Sequence, residues 1–334
     1  MATMNRQITL AARPTGLPKE SDFKQIETAL PVPKPGEFLV RILYLSVDPY
    51  MRGRMSDRKS YAAPVAVGDV MIGATVGEVL ESRHARFAKG DIVLGMQGWQ
   101  SHAVSDAAGL TKLDPARPVP LSVYLGAAGM PGVTAFIGLF DLGTPRPGET
   151  VVVAAAAGAV GSVVGQLAKL AGCRAVGIAG GAAKCEHVVR DLGFDACVDH
   201  RGEDFAARLA AATPSGVDVY FENVGGEVLD AVLPRLNPFA RIPLCGIVSQ
   251  YNASAPYGVK NFGALLTQRV RLQGFIVSDH MHRWPAALAQ LGAWVAEKKL
   301  VYRESVAEGL ASAPRAFIGM LRGENLGKQL VKVS

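Results

Sequence analysis

The stretch "VVVAAAAGAVGSVVG", Val151 to Gly165, decides the fold of the larger part of the chain. Three valines make a short apolar strand, and the small residues that follow lead into an amphipathic segment. A buried strand, a tight turn and a helix start bring backbone N–H groups and the positive end of a helix dipole to one point, where a pyrophosphate can bind. The stretch therefore predicts a dinucleotide-binding turn of the Rossmann type.

The glycine pattern of this turn departs from G-x-G-x-x-G at one position. Ala156 replaces the first glycine, whereas the second and third are Gly158 and Gly161. The second position must leave room for the pyrophosphate and the third lets helix and strand approach closely. We expect Ala156 to be tolerated if its φ is negative. A close-packed helix start without a ligand would show a similar pattern, but the strands and helices that follow favour a dinucleotide site.

Strands and helices alternate from this turn to about residue 299. The predicted strands are Thr150–Ala154, Arg174–Ala179, Ala196–Asp199, Val217–Glu222, Arg241–Gly246 and Arg271–Val277. A βαβ series of this regularity implies right-handed crossovers and a parallel sheet. We therefore predict an α/β fold whose second part is a Rossmann domain, a doubly wound parallel sheet of six strands.

The first part of the chain has a different character. From Gly36 to about Thr111, short β-rich runs are separated by Gly, Pro and Asp, which predicts a barrel-like β domain. A proline-rich junction, Leu113–Ser122, follows it, and the final "KQLVKV" is expected to return to it as a strand. The chain of 334 residues has the length of two domains. The predicted domains are residues 1–122 with 300–334, and residues 123–299.

Composition argues against several classes of protein. The net charge is +6, but Lys and Arg are scattered without any nucleic-acid-binding motif, so we predict no nucleic-acid partner. No apolar run reaches the roughly 20 residues of a membrane span, and the N-terminus lacks a signal-peptide core. We therefore expect no membrane partner and a cytoplasmic location. The four cysteines are too few and too widely spaced for a disulfide framework or a ligand pair, and we expect buried thiols: Cys173, Cys185, Cys197 and Cys245.

The end of the second predicted strand indicates which dinucleotide binds. NAD sites usually carry an acidic residue about twenty positions after the glycine turn. Here no Asp or Glu occurs between Glu149 and Glu186. Gly180 and Gly181 leave room where that carboxylate would lie, and Lys184 can bring a positive charge to a 2′-phosphate. The sequence predicts NADPH, with a solvated lysine at a helix start as the alternative interpretation.

Several motifs in order carry a family resemblance. They are "VDPYMRGRM" (Val47–Met55), "GMPGVTAF" (Gly129–Phe136), "AAAGAVGS", "ENVGG" (Glu222–Gly226), "CGIVSQYN" (Cys245–Asn252) and "NLGKQLVKV" from Asn325. The chain resembles the zinc-independent branch of the medium-chain dehydrogenase/reductase superfamily, in the leukotriene B4 dehydrogenase, prostaglandin reductase and 2-alkenal reductase group. The bacterial NADPH-dependent curcumin reductases of that group show the greatest similarity.

The resemblance implies a GroES-like β-rich barrel domain for substrate, a Rossmann domain, a cleft between them and a homodimer. It implies NADPH as the hydride donor to the C=C bond of α,β-unsaturated aldehydes or ketones. The cofactor-binding positions that it implies are Gly158, Ala159 and Val160 at the pyrophosphate, Lys184 at the 2′-phosphate, Asn223, Asn325, Phe275, Val277, Met130 and Thr134 towards the nicotinamide, and also Cys245, Gly246 and Gly327. His200, beside Arg201, stands where the family usually has a tyrosine.

The remaining residues favour chemistry without a metal. Zinc enzymes of the superfamily need Cys, His and acidic ligands, but all four cysteines lie in the second predicted domain and the first offers only His84 and His102. An H-x-H pattern with one acid, Asp279 to His282, is usually incidental, so we predict no metal site.

Addition of hydride to a conjugated carbonyl leaves an enolate, which a hydrogen bond from a phenol can stabilise. We predict Tyr251 as the first donor and Tyr50 as the second, and a ribose hydroxyl of the cofactor is a further donor that can share this role. Each tyrosine could instead only anchor a turn. The competing functions are an NADPH:quinone oxidoreductase and a non-catalytic NADPH-binding sensor.

Overall fold

The computed structural model describes residues 4–114 and 119–334. Contacts among the Cα atoms divide the chain into two compact units, Met1–Leu125 with Glu304–Ser334, and Gly126–Arg303. The sequence placed these boundaries slightly earlier, after residues 122 and 299. Part of the predicted proline-rich junction, residues 115–118, lies outside the described residues.

The strands follow in chain order. They are β1 (Met4–Leu10), β2 (Phe23–Ala29), β3 (Phe38–Ser46), β4 (Thr75–Ser82), β5 (Ile92–Gly95), β6 (His102–Ser105), β7 (Thr111–Leu113), β8 (Thr150–Ala154), β9 (Arg174–Ala179), β10 (Ala196–Asp199), β11 (Val217–Phe221), β12 (Leu236–Leu244), β13 (Arg271–Gly274), β14 (Glu304–Glu308) and β15 (Lys328–Lys332).

The α-helices are α1 (Tyr50–Arg54), α2 (Met130–Phe136), α3 (Gly161–Leu170), α4 (Ala182–Arg190), α5 (Phe205–Ala212), α6 (Gly226–Val232), α7 (Gly263–Thr267), α8 (Trp284–Ala296) and α9 (Ala313–Leu321). A π-helical segment, Ile137–Gly143, continues α2, and a 3₁₀ helix, Val277–Arg283, precedes α8. Within the described residues, no helix combines the length and the apolar character that a membrane span requires.

The first unit is built on β-strands. Its main sheet has the order β14-β15-β3-β4-β5-β7, with β6 also paired to β3, and β1 and β2 form a separate antiparallel pair. The core contains stacked aromatic rings, since Phe23 lies 5.6 Å from Trp99 between ring centroids and Phe317 meets both edge-on. Because β15 pairs antiparallel with β3, the end of the chain completes this sheet.

The second unit is a six-stranded sheet with the order β10-β9-β8-β11-β12-β13. Every neighbouring pair in it is parallel. The strand order reverses between β8 and β11, which is the topological switch point where open α/β sheets bind ligands. All five residues of β8 are buried, as expected for a central parallel strand covered on both faces. The predicted fold class is confirmed.

Three strands of this sheet differ from their predicted bounds. β11 ends at Phe221 instead of Glu222. β12 runs from Leu236 to Leu244 instead of from Arg241 to Gly246, and β13 ends at Gly274 instead of Val277. After Gly274, Phe275 bonds back to the Leu244 carbonyl (3.3 Å), and the chain then turns into the 3₁₀ helix at Val277. An apolar run continues through this turn, so periodicity alone could not locate the end of the strand.

Candidate active site

The turn between β8 and α3 is closed by backbone contacts. Gly158 N–H donates to the Ala155 carbonyl at 2.9 Å, and a Cβ added to Gly161 would lie 2.3 Å from the same oxygen. The positive φ of the turn, +52°, belongs to Ala155, whereas Ala156 is buried with a negative φ. Alanine is therefore tolerated at position 156, because the left-handed residue is its neighbour.

This turn fits a pyrophosphate. The first turn of a helix leaves N–H groups without intrahelical acceptors, and α3 starts at Gly161 directly after the turn. A Cβ at Gly158 would already lie 3.2 Å from the Ala155 carbonyl, so a larger residue would crowd the loop from one side. Ala159 and Val160 complete the loop and are half-buried.

A second loop, between β9 and α4, lies at the end of the neighbouring strand. Gly181 has φ +100°, and its N–H donates to Asp199 Oδ1 at 2.8 Å. The same carboxylate oxygen accepts from the N–H of Arg201 at 2.9 Å. These backbone donors hold the pKa of Asp199 below its usual range. Asp199 thus ties the loop after β9 to the loop after β10, a role that its position at the end of a predicted strand did not reveal.

Cationic side chains converge on these loops. A Cβ on Gly180 would lie 2.9 Å from Arg201 Nε and 3.0 Å from His200 Nε2. Burial and then the charge of Arg201 lower the pKa of Lys184, and partial desolvation followed by Arg201 lowers the pKa of His200. Like charges held this close favour a bound anion, because its negative charge offsets their repulsion. The structure therefore brings together Gly180, Gly181, Lys184, His200 and Arg201 in a site suited to a phosphate.

The carboxyl ends of β11, β12 and β13 bring a third group together. Asn223 Nδ2 donates to the Ala154 carbonyl at 2.8 Å, which fixes its amide beside the end of β8. Cys245 N–H donates to the Glu222 carbonyl at 2.9 Å, so the backbone pairing between β11 and β12 continues past the end of β12. Phe275 follows β13 in the same way and is buried. Two predicted nicotinamide-side positions, Asn223 and Phe275, and the predicted cofactor position Cys245 therefore share one edge of the sheet.

Glu222 supports this edge and is fully buried. Its carboxylate accepts from Tyr220 Oη at 3.0 Å and from Val224 N–H at 2.5 Å. Burial raises the pKa of Glu222, and the hydrogen bonds oppose that shift. The sequence interpretation included Glu222 only in a motif. The available signal was an acidic residue directly after the buried strand "VDVYF". A carboxylate buried there needs several hydrogen-bond donors, so it was a candidate for a structural role.

Tyr251 follows a short 3₁₀ helix, Val248–Gln250, after β12. Its side chain is half-buried, and a Cβ added to Gly246 would lie 3.1 Å from Tyr251 Oη. The absence of a side chain at Gly246 therefore gives the phenol oxygen access to the end of β12. This places Tyr251 beside Cys245 and Gly246, two predicted cofactor positions.

Met130 and Thr134 lie on α2, one turn apart. Thr134 Oγ1 donates to the Met130 carbonyl at 2.8 Å and lies 3.8 Å from its sulfur. α2 contacts the 3₁₀ helix that starts at Val277. The Val277 carbonyl accepts from Trp284 Nε1 at 3.1 Å, which holds that segment to α8.

Tyr50, Asn325 and Gly327 belong to the first unit. Tyr50 starts α1, and the Arg54 guanidinium lies 6.0 Å from its ring centroid. Burial and the Asp48 carboxylate raise the pKa of Tyr50, so its phenol keeps its proton. Asn325 Nδ2 donates to the Gly327 carbonyl at 2.7 Å, and Gly327 has φ +72°.

A buried ion pair joins these two segments of the first unit. Lys328 Nζ lies 2.8 Å from Asp48 Oδ1 and donates to the Val47 carbonyl at 2.7 Å. Ser46 Oγ also donates to the Asp48 carboxylate. Burial lowers the pKa of Lys328, and the charge of Asp48 opposes that shift. Sequence reasoning missed Lys328 and Asp48, because nothing local indicates a contact between positions so far apart in the chain.

The cysteines differ from expectation. Cys173 is buried, but Cys185, Cys197 and Cys245 are half-buried, so the prediction of four buried thiols is wrong for three of them. Sulfur atoms of Cys185 and Cys197 lie 3.0 Å apart. The two residues form a close pair because α4 packs on β10, which sequence spacing could not show.

Comparison with known proteins identifies the family. A family model described as the N-terminal domain of oxidoreductase matches residues 6–113, and one described as zinc-binding dehydrogenase matches residues 159–293. The NADPH-dependent curcumin reductase of Escherichia coli (strain K12) is 51% identical over 99% of this chain and 97% of its own length. The chain belongs to the zinc-independent group of the medium-chain dehydrogenase/reductase family. It is an oxidoreductase.

Further similarity within this family extends end to end. The 2-alkenal reductase (NADP(+)-dependent) of Nicotiana tabacum is 44% identical over 99% of this chain and 98% of its own length. The crystal structure of CurA from Vibrio vulnificus in complex with NADPH superposes with a TM-score of 0.95 at 50% identity, covering 98% of this chain and 99% of that chain. Within residues 4–114 and 119–334, no group of three or more His, Cys, Asp or Glu side chains could hold a metal ion.

Proposed function

We propose that this oxidoreductase uses NADPH to reduce the C=C bond of α,β-unsaturated aldehydes and ketones without zinc. The cationic loop at the end of β9, with Lys184 beside Arg201, carries the proposal. An acidic residue that would bind the ribose of NAD is missing there, and two positive charges take its place. The curcumin reductase and 2-alkenal reductase relatives support the choice of substrate class.

NADPH is the cofactor, and the residues present fit it. The turn at Ala155 to Gly161 keeps glycine at the second and third positions of the motif, and the absence of a side chain at Gly180 lets Arg201 and His200 lie against the loop after β9. When bound, NADPH supplies a hydride from C4 of its nicotinamide to the β-carbon of the substrate. We assign Lys184, His200 and Arg201 to its 2′-phosphate.

The positions assigned to the nicotinamide half are held by backbone and side-chain hydrogen bonds. The backbone hydrogen bond between Cys245 and Glu222 holds the edge of the sheet, and the Asn223 side chain is hydrogen-bonded to the end of β8. Preorganised groups contribute to catalysis because they need not reorganise during the reaction. The further cofactor positions that we assign are Gly246, Phe275, Val277, Met130, Thr134, Asn325 and Gly327.

Tyr251 is the proposed donor to the enolate oxygen. Negative charge develops on that oxygen as the β-carbon is reduced, and a phenol O–H can donate a hydrogen bond to it. The proton that completes the reaction is then added at Cα, from the phenol through water. Tyr50 is the second candidate, because its phenol O–H can donate the same kind of hydrogen bond.

The experiment is NADPH oxidation in the presence of a chelator, with matched enones, quinones and saturated aldehydes as acceptors and NADH as the control cofactor. Fast turnover on conjugated carbonyl compounds alone is the expected result. Turnover on quinones alone would make the protein a quinone oxidoreductase. Tight NADPH binding without turnover on any acceptor would make it a sensor, and loss of activity with chelator would overturn the zinc-free reaction.

We also propose a homodimer in the cytoplasm. β13 ends its sheet and all four of its residues are exposed, which leaves a strand edge able to pair with a second copy. Large apolar side chains are exposed on the neighbouring strand β12, at Phe239 (65%), and on α7, at Leu266 (81%). All four cysteines are free thiols, as expected in a reducing compartment.

A further inference from the structure

Two cysteines meet beside the loop assigned to the 2′-phosphate. Cys185 lies in the first turn of α4, directly after Lys184, and Cys197 lies in β10, two residues before Asp199. Their sulfur atoms are 3.0 Å apart. Neither residue is fully buried.

The other two cysteines have different surroundings. Cys173 is buried, and its thiol donates to the Arg146 carbonyl at 3.2 Å. Burial, with a smaller effect of the Glu222 charge, raises the pKa of Cys245 to about 12. A thiol that keeps its proton is a poor first nucleophile towards a peroxide, so neither residue is suited to start such a reaction.

The pKa values of the two paired cysteines shift in opposite directions. The Cys197 thiol donates to the Cys185 sulfur, and this hydrogen bond lowers the pKa of Cys185. The same bond, together with burial, raises the pKa of Cys197. Thiolates are the reactive form of cysteine, so Cys185 is the residue that reacts first and Cys197 the one that completes the bond.

We propose that Cys185 and Cys197 form a reversible disulfide when the protein meets a peroxide, and that this bond weakens NADPH binding. The Cys185 thiolate attacks a peroxide oxygen, so that an S–O bond forms and the O–O bond breaks, and the leaving oxygen takes a proton from solvent to become water or an alcohol. The Cys197 sulfur then attacks the Cys185 sulfur, the S–O bond breaks, and water leaves with the proton of Cys197. The two thiols lose two electrons and the peroxide gains them.

The disulfide would move groups on both sides of the loop assigned to the 2′-phosphate, which follows β9. The sulfur atoms must approach from 3.0 Å to a bond length of roughly 2.05 Å. Lys184 precedes one cysteine, and Asp199, which accepts from the N–H groups of Gly181 and Arg201, follows the other. A binding group that moves out of place loses its contact, and loss of a charge-assisted contact to a phosphate weakens affinity. This effect on the cofactor rests on the proposed function, whereas formation of the bond does not.

The first test detects the bond itself. Full-length reduced protein is treated with hydrogen peroxide, and its intact mass and free thiols are measured before and after dithiothreitol. We expect a loss of two hydrogen atoms, a peptide cross-link between Cys185 and Cys197, and reversal by the reductant. Cys185→Ala and Cys197→Ala should each abolish the cross-link, and Cys173→Ala should retain it. Stable over-oxidation without a cross-link would overturn the proposal.

The second test measures affinity without turnover. Fluorescence titration of NADPH and NADH is performed on the oxidised and reduced forms. We expect the Kd for NADPH to rise on the order of tenfold on oxidation, with little change for NADH, because the moved groups face the 2′-phosphate. The Cys185→Ala protein should show no response to peroxide. Equal NADPH affinity of both forms would refute the regulatory role even if enone reduction is established, and binding remains measurable even if no enone is reduced.

Discussion

At the scale of single residues, Tyr251 tests the proposed chemistry most directly. Its phenol oxygen lies beside Gly246, at the edge of the sheet assigned to the nicotinamide. We expect Tyr251→Phe to lower kcat about tenfold or more, because one hydrogen bond to a developing oxyanion can contribute that much. NADPH affinity should be unchanged, since the ring remains. Steady-state kinetics with an enone and NADPH titration measure the two quantities.

Tyr257→Phe is the matched control for that change. Its hydroxyl donates to Asp230 Oδ2 at 2.8 Å in the same unit, so the substitution removes a structural hydrogen bond. Its kcat should stay within about twofold of the wild type, given the small net energy of such a bond. If Tyr251→Phe turned over as fast as this control, Tyr251 would have no part in the mechanism.

We expect Lys184 to determine the choice between the two nicotinamide cofactors. Lys184→Met should raise the Kd for NADPH by about tenfold or more, since a charged contact to phosphate is lost, and should leave the Kd for NADH almost unchanged. Lys169→Met removes a surface lysine paired with Asp195 at 2.8 Å and should affect neither. Isothermal titration calorimetry with both cofactors measures these Kd values. Equal losses of affinity for NADPH and NADH in Lys184→Met would contradict the assignment.

The pH dependence of NADPH binding follows from the same residue. Burial and Arg201 lower the pKa of Lys184, so its positive charge is lost at a lower pH than that of an ordinary lysine. NADPH affinity should therefore fall as pH rises through this lowered pKa, whereas NADH affinity should not. Titrations at several pH values on the wild type and on Lys184→Met would reveal the difference.

At the scale of elements, the start of α3 depends on a close backbone approach. An alanine at Gly161 would place its Cβ 2.3 Å from the Ala155 carbonyl, and that backbone cannot move easily. We expect Gly161→Ala to lower the free energy of unfolding by about 1–3 kcal/mol and to weaken NADPH binding. Gly263 also begins a helix in this unit, but a Cβ there would meet nothing within 4 Å. Gly263→Ala should be neutral or slightly stabilising in urea denaturation, and equal effects of the two would refute the argument.

The buried ion pair between β15 and the segment before α1 should contribute to the stability of the first unit. Lys328→Met would leave the Asp48 carboxylate buried without its cation, and we expect a loss of about 3–5 kcal/mol of unfolding free energy. The double variant Asp48→Asn with Lys328→Met should recover most of this loss, because no buried charge remains. Thermal and urea denaturation of the single and double variants measure the coupling. Additive losses would show that the two charges do not depend on each other.

At the scale of the whole molecule, the exposed edge strand β13 predicts self-association. Leu272 on that strand is 39% exposed, and Leu272→Glu would place a charge at the edge. We expect light scattering to give a dimer mass for the wild type and a monomer mass for this variant. Leu170→Glu, at an exposed leucine on α3, should remain a dimer. A monomeric wild type would overturn the proposed assembly.

The sequence by itself determined the parallel sheet. Strands β8 and β9 begin and end where the apolar runs predicted, and the glycines after β8 lie in the turn that the motif indicated. These features are local, since strand period, turn residues and helix starts depend on neighbours within a few positions. Lys184 could be assigned to a phosphate for the same reason, because it follows the second strand by a short, fixed spacing.

Only the tertiary structure decided which distant residues meet. Asp199 joins two loops, Glu222 holds the edge of the sheet, and Lys328 reaches Asp48 across most of the chain. The meeting of Cys185 with Cys197 likewise depends on how α4 packs on β10. Such contacts follow from burial and packing between elements, where a polar group must find its partner wherever the fold brings one. Sequence pattern contains the period of each element but not these pairings.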